Sequence, residues 1–116
     1  PSYQLQYLSS GAELASALRL SPPNEWPALI LLDARINRPD RIMALRALKE
    51  HPRLRAIPIV WLATPTDDTA QVYGLNANSV ITVFNKPNAL IQAIEQICRY
   101  WLMVAQLPGE EELSMV

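Results

Sequence analysis

Ala28-Leu-Ile-Leu-Leu-Asp33 decides how this chain folds. Five apolar residues follow one another without alternation and stop at a carboxylate. A run of that length suits a strand buried on both faces, as in a parallel sheet. Ile57-Pro-Ile-Val-Trp-Leu-Ala63 repeats the pattern, with Pro58 near its first position, where a missing N–H is tolerated. Between the two, Asp40 to Glu50 reads as a helix with Ile42, Leu45 and Leu48 as the buried stripe. Asp40 stands near its cap and His51-Pro52 closes it.

The same alternation extends in both directions. Tyr3 to Leu8 alternates polar and apolar residues and reads as a strand. Ser9 or Ser10 caps a helix from Ala12 to Leu20, with Leu14, Ala17 and Leu18 on one stripe, and Pro22-Pro23-Asn24 ends it. Downstream, a short helix spans about Thr69 to Leu75, and Ser79 to Phe84 forms a further strand. Asn88 to about Ala105 makes the longest helix, with Leu90, Ile94, Ile97 and Trp101 at helical spacing. Glu110 to Val116 reads as a solvated tail, so the domain is placed at residues 1–106 and the tail at 107–116. The order β-α-β-α-β-α-β-α predicts an α/β fold, a doubly wound parallel sheet with helices on both faces.

Composition sets the limits. With 116 residues, the chain is one domain. It is 50% hydrophobic and 18% charged, which fills a core and excludes a disordered chain. A net charge of −1 gives no global attraction for nucleic acid or an acidic membrane. Gly11, Gly74 and Gly109 are too scattered for a phosphate loop or dinucleotide fingerprint. The lone His51 and lone Cys98 cannot build a zinc site or a disulfide; His51 reads as a surface helix-end residue and Cys98 as core. No membrane span or leader is read, and the expected location is cytoplasmic.

Ligands in such a sheet bind at the carboxyl ends of the strands. Three polar residues fall there: Asp33, Thr64 and Lys86. A carboxylate, a hydroxyl and an ammonium on one edge suit a phosphoryl acceptor, with the carboxylate as nucleophile and the others steadying the oxygens.

With Leu29-Ile-Leu-Leu-Asp33, Leu45-Arg-Ala-Leu-Lys49, Ile57-Pro-Ile-Val60 and Lys86-Pro87, the chain resembles the response-regulator receiver domain, a flavodoxin-like (CheY-like) fold, over residues 3–105. Tyr100-Trp101-Leu102 and Leu107-Pro108 are similar to a stand-alone subfamily with an extended last helix. The resemblance implies a phosphorelay signalling domain rather than an enzyme. Asp33 would be the phosphoacceptor, charged by a sensor histidine kinase or phosphotransfer protein, and Lys86, with Thr64, would contact the phosphoryl group. Mg²⁺ would be held by Asp33, the Arg35 carbonyl and an acidic pair. Phe84 or Val83 would be the switch aromatic position, and a homodimer would form through the last two helices and last strand.

Several positions depart from the family pattern. The chain starts at the family's second strand, so the first strand and helix, with the acidic pair, are absent and a central sheet position is left empty. The expectation is a missing segment or a strand borrowed from a partner. Ala63 stands at the switch hydroxyl position, Arg41 where glycine is usual and Asn37 where proline is usual. The stretch from Ala77 to Lys86 is longer than the pattern. Without the acidic pair, Mg²⁺ has too few ligands for firm binding. These departures leave a second reading, a pseudo-receiver that keeps the fold as an interaction module without phosphotransfer. A flavodoxin-like cofactor enzyme shares the topology but lacks a phosphate loop. Arg35, Arg38, Arg41, Arg46, Lys49, Arg53 and Arg55 read as a solvated helix face, with a docking surface for an acidic partner as the alternative.

Overall fold

Every described strand runs parallel, and the five are ordered β1-β5-β2-β3-β4. A computed structural model of the chain describes residues 4–102 and 112–116. In chain order these are β1 (Gln4–Tyr7), α1 (Gly11–Leu20), β2 (Leu29–Asp33), α2 (Arg38–Glu50), β3 (Ile59–Ala63), α3 (Thr69–Gly74), β4 (Ser79–Thr82), α4 (Ala89–Ile97) and β5 (Glu112–Met115). Short 3₁₀ turns at Pro23–Glu25 and Leu54–Ala56 lead into β2 and β3, and a π turn at Cys98–Leu102 extends α4.

The continuous apolar runs behave as double-faced strands should. Every residue of β2 and β3 is buried. Ile30, Leu32, Ile59 and Trp61 face one core with Leu14 and Leu18 of α1, Leu45 and Leu48 of α2, and Val72 of α3. Leu29, Leu31, Val60 and Leu62 face a second core with Ala93 and Ile97 of α4. The doubly wound reading is therefore correct in class, with helices on both faces.

Local chemistry explains the helix ends. Ser10 caps α1 by accepting from the Glu13 amide (3.1 Å), as one of the two serines was expected to do. Ala15 rather than Ala17 completes the α1 stripe, because Ala17 is exposed. For α2, Asn37 is the cap, accepting from the Asp40 amide (3.2 Å), and the helix begins at Arg38, with Pro39 in its first turn. Asn88, with φ 62°, holds the left-handed turn before α4.

The expected solvated tail is the main correction. Residues 112–116 sit at the centre of the sheet: Leu113 pairs in register with Leu5 of β1 and with Leu29 of β2. Ser114, Met115 and Val116 are buried, Met115 in the second core and Val116 in the first. The central position that the sequence seemed to leave empty is filled by the chain's own β5. A sheet without it would present unpaired edges on β1 and β2, which burial in water-free surroundings penalises. Residues 107–111 and 103–105, the remainder of the tail and of the predicted last helix, lie outside the described residues.

Gly11 shows how tightly α1 meets α2. A Cβ there would stand 2.5 Å from the Ala44 Cβ and 3.0 Å from the Asp40 carbonyl oxygen. Neither neighbour is the far end of a flexible side chain, so Gly11→Ala is expected to cost about 1–3 kcal/mol by overpacking. Urea unfolding checks this; an unchanged midpoint would show that the two helices can part freely.

Candidate functional site

Asp33 ends β2 at the carboxyl edge of the sheet, and the residue is 1% exposed. Its amide donates to the Val116 carbonyl, so β5 holds its backbone from one side. On the other side the Ala34 amide donates to the Leu62 carbonyl (3.0 Å), which ties the same turn to β3. The chain then turns through Ala34–Ile36, and that turn folds Arg35 back over Asp33. The Arg35 amide donates to Oδ1 (3.1 Å), its Nε to Oδ1 (2.9 Å) and its Nη2 to Oδ2 (2.8 Å). Both carboxylate oxygens are thereby held by one forked, charge-assisted contact.

Arg41 lies beneath this turn. It is 2% exposed, which corrects the reading of the arginine-rich stretch as a wholly solvated face. A buried guanidinium must be paired, and it is: Nε donates to the Asp33 carbonyl (3.1 Å) and Nη1 to Asp40 Oδ2 (2.6 Å). Asp40 Oδ2 also accepts from the Gly11 amide at the start of α1 (2.7 Å). Burial alone would raise the Asp40 carboxyl, but the Gly11 amide and the Arg41 guanidinium outweigh it and hold its pKa below the ordinary value.

A third arginine completes the pattern. Arg38 donates through Nε to Asp67 Oδ1 (2.7 Å) and through Nη2 to Gln71 Oε1 (2.7 Å), joining α2 to the loop after β3. Trp61 Nε1 donates to the other oxygen of Asp67 (2.8 Å), and the Arg38 guanidinium lies 5.7 Å from the Trp61 ring centroid.

The remaining sequence candidates are spread along this edge. Thr64, half-buried, follows β3, and its carbonyl accepts from the Asp67 amide. Lys86 is exposed, and its Nζ stands 5.9 Å over the Phe84 ring; among the described residues the ion pair to Asp33 comes from Arg35. Val83 is buried in the second core, whereas Phe84 is 54% exposed. His51 is half-buried, and its Nδ1 accepts from the Arg53 and Leu54 amides (both 3.1 Å). Cys98 is half-buried, and burial pushes its thiol pKa up, away from reactivity.

The side chains of Arg35 and Arg41 are what sequence reasoning missed. It used Arg35 for a backbone carbonyl, noted Arg41 as an exchange for glycine, and counted both side chains in a solvated basic face. The available signal was the spacing Asp33-x-Arg35, close enough for a side chain to return to its neighbour.

No protein-family model matches the chain. It is 33% identical to the probable methanogenesis regulatory protein FilR2 of Methanothrix harundinacea (strain 6Ac), over 91% of this chain and 71% of that protein. It is also 33% identical over 85 residues to the response regulator Rcp1 of Synechocystis sp. (strain PCC 6803), covering 72% of this chain and 58% of Rcp1. The phosphorylated cyanobacterial phytochrome response regulator RcpA superposes with a TM-score of 0.76 at 33% identity, over 88% of this chain and 76% of RcpA. The chain belongs to the response-regulator receiver family. A second solved receiver, the Mn²⁺-bound form of Rcp1, superposes with a TM-score of 0.73 at 28% identity, covering 88% of this chain and 77% of that one.

The Mn²⁺ in that Rcp1 structure raises the question of a divalent cation beside Asp33, and the described residues do not suit one. Among the described residues there is no group of three or more His, Cys, Asp or Glu side chains that could hold a metal ion. Asp33, the one carboxylate of the expected set, has both oxygens on Arg35. No described helix is long and apolar enough to cross a membrane.

Proposed function

We propose that this receiver accepts a phosphoryl group on Asp33 from a sensor histidine kinase or phosphotransfer protein and relays it as a cytoplasmic response regulator. One observation carries the reading: Asp33 is a buried carboxylate at the carboxyl end of a central strand, in a fold shared with a phosphorylated receiver at 33% identity. In the reaction a carboxylate oxygen of Asp33 attacks phosphorus in line, the P–N bond to the donor histidine breaks, and the electron pair leaves with the imidazole. Lys86 and Thr64 are assigned to the phosphoryl oxygens once the group is in place. The relay would then act by biasing a pre-existing surface rather than by further chemistry. A second copy docking through the last two helices, α3 and α4, and the strand β4 belongs to the same proposal, since Tyr73, Ile91 and Tyr100 are exposed.

Intact mass after incubation with acetyl phosphate tests it. A gain of one phosphoryl group in the wild type and none in Asp33→Asn is the expected result. Absence of any gain would sink the relay reading. The pseudo-receiver reading would then hold, and the observation that favours it is the engagement of both Asp33 oxygens by Arg35.

A further inference from the structure

We infer that Arg35 is the counter-cation of Asp33 and stands in for the divalent metal ion, so that the acceptor site of this receiver excludes metal and works without it. The part concerning reactivity rests on the phosphoacceptor reading above; the part concerning metal exclusion does not.

Two independent observations support the inference. The first is the contact itself: three donors of one residue engage both oxygens of a carboxylate that is itself almost wholly buried. A cation that coordinates Asp33 must first displace a forked, charge-assisted guanidinium pair whose carboxylate side is buried. The second is the pairing pattern around the site. Arg35 meets Asp33, Arg38 meets Asp67 and Arg41 meets Asp40, so each of these three carboxylates has its own arginine.

The guanidinium is suited to both states of the acceptor. Its planar fork fits a carboxylate, and the same fork fits a phosphoryl group, with the charge always present. When acetyl phosphate reacts, the P–O bond to acetate breaks, a P–O bond to one Asp33 oxygen forms, and acetate leaves with the electron pair. Arg35 then has donors to follow the negative charge onto the phosphoryl oxygens. Arg35 is in this sense a positioning residue that also neutralises charge.

The test uses Mn²⁺ alone as the probe, followed by acetyl phosphate with and without metal. In the ¹⁵N-labelled wild type, amide signals of residues 33–35 are expected to survive Mn²⁺ that broadens them in Arg35→Ala at concentrations at least about tenfold lower. Asp33→Asn, which lacks the carboxylate, should resist broadening in either background. Equal broadening in wild type and Arg35→Ala would overturn metal exclusion, whether or not the protein is ever phosphorylated. In the second arm, EDTA and Mg²⁺ should give wild-type phosphorylation rates within about twofold of each other. Arg35→Ala should be slowed at least about tenfold in EDTA and regain rate with Mg²⁺. A wild-type rate raised tenfold or more by Mg²⁺ would overturn the substitution of Arg35 for metal. A merely structural role for Arg35 would change stability and leave the metal dependence of the variants alike.

Discussion

Ser114→Pro is expected to destroy the cooperative fold. Ser114 is the middle of β5, buried, and in register with Gln6 on one side and Ile30 on the other. The Val116 amide donates to the Leu31 carbonyl (2.8 Å), and by the two-residue period of a strand the Ser114 amide faces β2 as well. Proline removes that donor and presses its ring into a central strand, where it is essentially not found. The local loss is about 3 kcal/mol or more. The larger effect is topological, because β1 is joined to β2 only through β5. Against a typical total of about 5–15 kcal/mol, losing this junction leaves β1 without a partner strand and the β2 edge unpaired. Circular dichroism during heating should show a broad, early loss of signal for Ser114→Pro. A melting curve like that of the wild type would mean that β5 is not part of the folded sheet.

Trp61 carries the second large effect. Its indole is fully buried in the core between the sheet and α1, α2 and α3, and its N–H is spent on Asp67. Trp61→Ala removes the largest buried side chain of that core and should cost about 3–5 kcal/mol. Trp61→Phe separates the two contributions. It keeps an aromatic ring but leaves one Asp67 oxygen without its donor, for about 1–3 kcal/mol. Arg38 still holds the other oxygen, so a double variant with Arg38→Met should show coupling between the two sites. Guanidinium denaturation curves measure all three. A Trp61→Ala cost below about 1 kcal/mol would show that the site collapses without harm, contrary to its packing.

Much of the architecture could be read from local chemistry. Leu29–Leu32 and Ile59–Leu62 are continuous and apolar because both faces of their strands are covered, and their type follows from that alone. Ser10 and the proline pair after α1 mark boundaries by hydrogen-bonding capacity and its absence. What was not legible depended on partners distant in sequence. Leu113-Ser-Met-Val116 is too short to declare itself a strand, and its neighbour glutamates read as solvated; only the place between β1 and β2 makes it one. Arg41 looked like surface because buried arginines are rare, and the acceptors that permit its burial, the Asp33 carbonyl and Asp40, show only in three dimensions. Asp33 itself was identified correctly as the end of its strand, yet its chemical state depends on where the Arg35 side chain goes, which no periodicity encodes.

The central position of β5 also governs the order in which the molecule can assemble. β2, β3 and β4 are linked by short crossovers and can pair early, while β1 must wait for a strand made after every other described element. Closing the sheet therefore joins segments from opposite ends of the sequence, and the loop entropy of that closure falls on the last step. Folding should be slow for a domain of this size, with the β2–β3–β4 half formed in the transition state and the β1–β5 half formed after it. Until β5 pairs, β1 and β2 each keep an unpaired edge, the period in which the chain is most exposed to aggregation.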